Sequence, residues 1–163
     1  MPVRSEREAN LDQHEKPALS LWLRLLTCTN LLEGAIRHRL RRDFATTLPR
    51  FDLLAQLDRG PGGLTMTELS NRMMVSNGNL TGLVDRLVAD HLVERRPDPG
   101  DRRRTRVALT AKGKNRFDAM TPAHEAWVNT LLDGLSDKEI RRLHELLGKL
   151  KFSAAAGLES TGS

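Results

Sequence analysis

The chain of 163 residues has one cysteine, Cys28, and no tyrosine. A single cysteine excludes an internal disulfide framework and a cysteine-rich zinc site. No apolar run reaches the roughly 18 residues that a membrane-spanning helix needs. The first 17 residues, MPVRSEREANLDQHEKP, contain no apolar stretch of the kind a secretion signal requires, so the expected location is cytoplasmic. The histidines His14, His38, His91, His124 and His144 lack metal-ligand spacing. Neither a Ser/His/Asp order nor a paired-carboxylate motif is present. Gly60-Pro61-Gly62-Gly63 lacks the Lys and Ser/Thr of a phosphate loop and reads as a turn. An enzyme, a metal site and a cofactor are therefore not expected.

What is present is basic charge, mostly arginine. Lys plus Arg is 26 against 21 Asp plus Glu, for a net charge of +5, and 20 of the 26 are Arg. The planar guanidinium fork suits phosphate and guanine edges. A GC-rich genome produces the same bias, and position separates the two readings. Between Arg95 and Arg106, six of twelve residues are Arg, beside Asp98 and Asp101. The hydrophobic share of 39% makes a lean core for a compact monomer, which points to burial against a partner subunit.

The patterning predicts a mainly α protein with a small β-hairpin. Residues 1–17 read as a flexible arm and 153–163 as a frayed, flexible tail. Leu21, Leu25, Cys28, Leu32, Ile36 and Leu40 recur at helical spacing over about 18–44. A second helix follows Pro49 and stops at the Gly60–Gly63 turn. Thr65 and Glu68 fit a capping box opening a short helix over about 66–74. A tight turn holding Val75 leads to a helix from Ser76 or Asn77 to about Asp90, with Leu80, Leu83 or Val84, and Leu87 inward. Two strands, about 92–96 and 104–109, flank the turn Pro97-Asp98-Pro99-Gly100-Asp101. Thr110 caps a fifth helix, which Pro122 interrupts or kinks. Ser136 and Glu139 form a second capping box before a sixth helix with Ile140, Leu143, Leu146, Leu147 and Leu150 on one face.

Helix, short helix, tight turn, helix and Arg-rich hairpin form a winged helix-turn-helix, whose second helix enters the major groove while the hairpin reaches the minor groove. Three stretches carry a resemblance: DPGDRRRTRVALTAKG (98–113), LSNRMMVSNGNLTGLVDRLVADHLVERR (69–96) and the flanking helices. Over 18–152 the chain resembles a MarR-family transcriptional regulator. The resemblance implies a homodimer built from terminal helices, about 18–44 and 111–152, with the winged helix-turn-helix at about 49–110. It implies a repressor on palindromic double-stranded DNA, released by a small ligand or an oxidant. The wording CTNLLE, TTLPRFDLLAQL and MMVSNGNLTGL is similar to a subgroup controlling aromatic-acid breakdown, some members of which answer to acyl-CoA thioesters.

Candidate DNA contacts are Ser76, Asn77, Asn79, Thr81 and Arg86 on the fourth helix, and Arg102, Arg103 and Arg104 on the wing. Ser76 also serves as a plain cap, the polar helix residues as ordinary exposed positions, and Arg86 as a partner for Asp90 one turn on. By the family match, Asp101 is structural and orients Arg103 through an ion pair. The family's ligand pocket maps onto Trp22, Arg24, Leu26, Thr29, His38, Phe51, Leu54 and Met120, and core packing is the competing reading for the apolar ones. Gly82 stands where many relatives carry Arg or another long polar residue. Cys28 sits on the apolar stripe and reads as a buried, inert thiol. Two further functions remain open beside the ligand-released repressor: a redox switch through Cys28, and an architectural protein that coats DNA with little sequence preference.

Overall fold

A computed structural model describes residues 16–161. The expected arm lies outside them except for Lys16 and Pro17. Pro17 opens α1 (Pro17–Phe44), where its lack of an N–H costs nothing. The helix ends as Ala45 turns left-handed at φ 49°. Only Ile36 and Leu40 of α1 are buried. Leu21, Trp22, Leu31 and Leu32 are exposed, and so is Cys28. The reading of Cys28 as buried is thus corrected for the single chain, because no described residue covers it.

α2 (Leu48–Asp58) carries Pro49 in its first turn and buries Phe51, Leu53, Leu54 and Leu57. α3 (Met66–Met73) opens on the expected capping box: the Glu68 N–H donates to Thr65 Oγ1 at 3.2 Å, and the Thr65 N–H donates to Glu68 Oε2 at 2.7 Å. α4 (Asn77–Ala89) buries Leu80, Leu83, Val84 and Leu87, the spacing of one helical face. Each such leucine contributes about 1.5–3 kcal/mol by leaving water.

The sheet has three strands rather than two. The hairpin β2 (Val93–Pro97) and β3 (Thr105–Leu109) pairs Val93 with Leu109 and Pro97 with Thr105. A two-residue strand, β1 (Leu64–Thr65), adds antiparallel to β3, with Leu64 opposite Val107. The order is β1-β3-β2. Gly63, at φ +87°, makes this approach possible, since a Cβ there would lie 2.6 Å from the Val107 carbonyl oxygen.

α5 (Ala111–Leu132) runs through Pro122 without interruption. Thr110 caps it as expected, accepting from the Gly113 N–H at 2.9 Å and donating to the His91 carbonyl at 2.7 Å. Gly113 is obligatory there: a Cβ would sit 1.8 Å from the Leu92 carbonyl oxygen.

The chain divides into two compact units, one ending at His124 and the other beginning at Glu125. In the second, α6 (Asp137–Thr161) starts at the Ser136–Glu139 capping box, with the Ser136 N–H donating to Glu139 Oε2 at 2.8 Å. It continues to Thr161, which corrects the tail expected from residue 153. Ala154, Ala155 and Ala156 are the strongest helix formers and extend the helix past its apolar stripe. Leu143, Leu146, Leu147 and Leu150 remain 40–45% exposed. No described helix is long and apolar enough to cross a membrane.

Candidate nucleic-acid interface

The first unit presents α4 and the β2–β3 hairpin as its charged and polar features. Ser76 is the N-cap of α4, with φ −66° and ψ 150°, and its Oγ accepts from the Asn79 N–H at 3.4 Å. That bond occupies one of the four orphan amides of the helix start. Asn77, Gly78, Asn79, Thr81 and Arg86 are all exposed. The Thr81 hydroxyl donates to the Asn77 carbonyl at 2.8 Å, which leaves its oxygen as an acceptor. A Cβ on Gly82 would meet only Arg86 Nη1, at 3.6 Å, and one on Gly78 would meet nothing. This side of the helix is therefore open.

Arg86 does not pair with Asp90. The Asp90 carboxylate instead accepts from Arg50 of α2, which ties the end of α4 to a neighbouring helix. Among the described residues Arg86 has no ion-pair partner, so its guanidinium is available to a ligand.

The wing owes its shape to Asp98, a residue that sequence reading treated only as part of a turn. Asp98 is 8% exposed. Its Oδ1 accepts from the N–H groups of Gly100 at 2.7 Å and Asp101 at 3.1 Å, closing an Asx turn. Its Oδ2 accepts from Arg106 Nε at 2.5 Å. Arg106 in turn donates from Nη1 to the Gly63 carbonyl at 2.9 Å and lies 3.9 Å from Glu68 Oε2. One guanidinium thus joins the wing, the turn before β1 and the first turn of α3. The Arg106 hydrogen bond, then the amides of Gly100 and Asp101, hold the Asp98 carboxyl below its ordinary range. The Thr65 amide and hydroxyl do the same for Glu68.

Asp101 has a different role from the expected one. Its Oδ1 accepts from the backbone N–H of Arg103 at 3.0 Å, and its Oδ2 lies 3.7 Å from Arg104 Nε. The side-chain ion pair is with Arg104, because the turn points the amide of residue 103 at the carboxylate. Arg95 donates to Asp85 at 2.5 Å, and Arg96 pairs with Glu94. Of the six arginines in the cluster, only Arg102 and Arg103 have no ion pair among the described residues, and both are exposed.

The expected ligand residues differ in burial. Phe51, Leu54 and Met120 are buried in the core. The Phe51 ring lies 5.5 Å from Phe117 and 4.5 Å from His124, centroid to centroid. Burial pulls the His124 imidazole below its usual value. Leu26 is half-buried, and Trp22, Arg24, Thr29 and His38 are exposed. A groove of about 680 Å³ lies among Arg50, Asp90, His91, Lys112, Asn115 and Arg116, and none of the eight lines it. No cluster of three metal-ligating side chains occurs among the described residues.

A family model described as the MarR family matches residues 46–104. The HTH-type transcriptional regulator YcgE of Bacillus subtilis is 34% identical over 136 residues, 83% of this chain and 84% of that protein. The HTH-type transcriptional repressor YetL of the same organism is 29% identical over 147 residues, 90% of this chain and 86% of the relative. A solved structure of Sco3205, a MarR-family regulator of Streptomyces coelicolor in complex with DNA, superposes with a TM-score of 0.76. It is 26% identical and covers 86% of this chain and 88% of that one.

Proposed function

The chain belongs to the MarR family of DNA-binding transcriptional regulators, and from that premise we propose that it is a cytoplasmic repressor, held as a homodimer on a palindromic operator and released by a small ligand. The observation that carries the reading is the wing: Arg102 and Arg103 stand exposed, without an ion pair among the described residues, at the tip of a hairpin whose arms Asp98 and Arg106 join. Free guanidinium forks at that position suit the negative potential of a minor groove. Asn77, Asn79 and Thr81 serve the major groove, since an amide reads adenine bidentately and a hydroxyl reads either kind of edge. Ser76 and Arg86 hold phosphate.

The homodimer uses the exposed leucines of α1 and α6, which leave an apolar stripe on each helix uncovered. Removing residues 140–163 deletes one stripe and abolishes the dimer in sedimentation. The ligand is an aromatic acid or its CoA thioester. The similarity of residues 28–33 and 46–57 to the aromatic-acid subgroup supports this reading, as do the cations Arg50, Lys112 and Arg116 around the groove. A thermal-shift screen of aromatic acids and their thioesters identifies it, because a ligand specific to the folded state raises the melting point.

Footprinting with the full-length protein tests the whole reading. Two protected half-sites about 10 bp apart, related by two-fold symmetry, are expected. Affinity falls steeply with salt as phosphate counterions are released. Uniform protection along the duplex would establish the architectural reading instead. The redox reading fails when Cys28→Ser keeps the wild-type response to peroxide.

A further inference from the structure

Met74 combines two unfavourable features: a left-handed backbone and an apolar side chain left exposed by the described residues. It is the C-cap of α3, with φ 54° and ψ 40°. Glycine occupies this left-handed region freely, and a side chain with a Cβ resists it. The Met74 side chain is also 90% exposed, more than any other large apolar side chain among the described residues. Ala45 and His91 share the positive φ, but one carries only a methyl group and the other is polar.

The turn itself is firmly pinned. The Met74 and Val75 amides both donate to the Ser70 carbonyl, the second at 3.3 Å, and the Ser70 hydroxyl donates to the Val75 carbonyl at 2.7 Å. The point from which the Met74 side chain leaves the backbone is therefore fixed. That point lies two residues before Ser76, the N-cap of α4, and Asn77 and Asn79 follow it on the surface. Arg72, on the preceding turn, is exposed as well. Backbone strain kept at a binding surface is a signature of function.

We propose that Met74 reads the operator: its thioether side chain packs against the C5 methyl group of a thymine at the edge of each half-site. Apolar contact with that methyl distinguishes thymine from the other bases in the major groove. An unbranched side chain with three rotatable bonds conforms to a base edge better than a branched one. The duplex then covers this exposed apolar side chain, and glycine, which relaxes the turn, supplies no such contact. The inference rests on the operator-binding reading above.

The test uses the full-length protein and the duplex it selects from a random-sequence pool. Each thymine in the half-site is replaced in turn by deoxyuridine, which differs only by the missing methyl. At one position per half-site the wild type loses roughly fourfold in affinity, the worth of one buried methyl. Met74→Gly binds the thymine duplex that much more weakly, no longer distinguishes deoxyuridine there, and melts no lower than wild type. Met74→Leu keeps most of the discrimination. Equal discrimination by wild type and Met74→Gly would falsify the assignment, as would unchanged affinity in Met74→Gly. Failure of the wild type to select any duplex overturns the operator reading itself, a separate outcome.

Discussion

The carboxylate of Asp98 and the guanidinium of Arg106 join the two arms of the wing, with Nε 2.5 Å from Oδ2, and Arg106 carries the link on to the Gly63 carbonyl at 2.9 Å. The pair links positions eight residues apart on opposite arms of the hairpin. Asp98 also closes the turn through two amides, so its loss frees both the tip and its tether. Asp98→Asn keeps an acceptor for the Gly100 and Asp101 amides but gives up the charge. Asp98→Ala gives up everything. Helical content is unchanged in both, and operator affinity falls in both, by about tenfold in the alanine variant if the groove contact is lost. Anisotropy at fixed salt, with circular dichroism as control, measures this. Equal affinity in all three proteins disproves the tether.

The same pair sets a pH expectation. The folded-state value of Asp98 lies below the ordinary 3.8. A carboxyl lowered in this way lends stability above its unfolded value and loses it only as pH falls through the lower folded value. The wing therefore stays locked at pH 5. The Gly100 amide, which donates to Asp98, reports this directly in a chemical-shift titration. Its inflection falls below 3.8, and an inflection above that value would mean the lock is open.

Double-mutant cycles separate the wing arginines. Asp101 touches the Arg104 side chain and only the backbone of Arg103. Asp101→Ala and Arg104→Ala are therefore coupled in operator binding, by the small amount an exposed ion pair allows. Asp101→Ala and Arg103→Ala add. Arg103→Ala alone costs about 1–3 kcal/mol of binding when its fork enters the groove. Coupling between Asp101 and the Arg103 side chain reverses the assignment.

Much of this architecture is legible in the sequence because its signals are local. The Thr65–Glu68 and Ser136–Glu139 capping boxes, Pro17 and Pro49 in first turns, and the spacing Leu80, Leu83, Leu87 each fix a helix within a few residues of chain. The Asp98–Arg106 lock is not local. Two aspartates and six arginines share that segment, and only the hairpin register, with Pro97 opposite Thr105, decides which ones meet. β1 is equally hidden, since two residues carry no periodicity and pair only because Gly63 lets them approach β3. The exposure of Cys28 was missed for the opposite reason. A helical stripe shows that a face is apolar but does not say which chain covers it.

His124 gives the stability of the first unit its own pH dependence. Its ring lies against Phe51, and burial lowers its value from the ordinary 6.5. The unfolded chain then binds the proton more readily than the folded one, so stability falls as pH drops below about 6.5 and the loss is complete below the folded value. Melting temperatures at pH 7.5 and 5.5 fall further apart in the wild type than in His124→Gln. Equal pH slopes in the two proteins refute the assignment.

Gly82 sits in the middle of α4, where glycine costs about 1 kcal/mol relative to alanine. Two explanations compete. Either the helix comes so close to DNA that no Cβ fits, or the position is open and merely unused. Among the described residues the position is open, since a Cβ there meets only the far end of the Arg86 side chain, at 3.6 Å. On the second explanation, Gly82→Ala is expected to raise the melting temperature by about 2–4 °C for a chain of this size and to leave operator affinity unchanged. Gly82→Arg extends a guanidinium from the same face as Asn79 and Arg86, and it binds more tightly at low salt, with a steeper salt slope from the added phosphate contact. Calorimetry and anisotropy over a salt series measure both. A stabilised Gly82→Ala protein that loses affinity shows that α4 lies against the bases at this residue, and the long side chain then weakens binding as well.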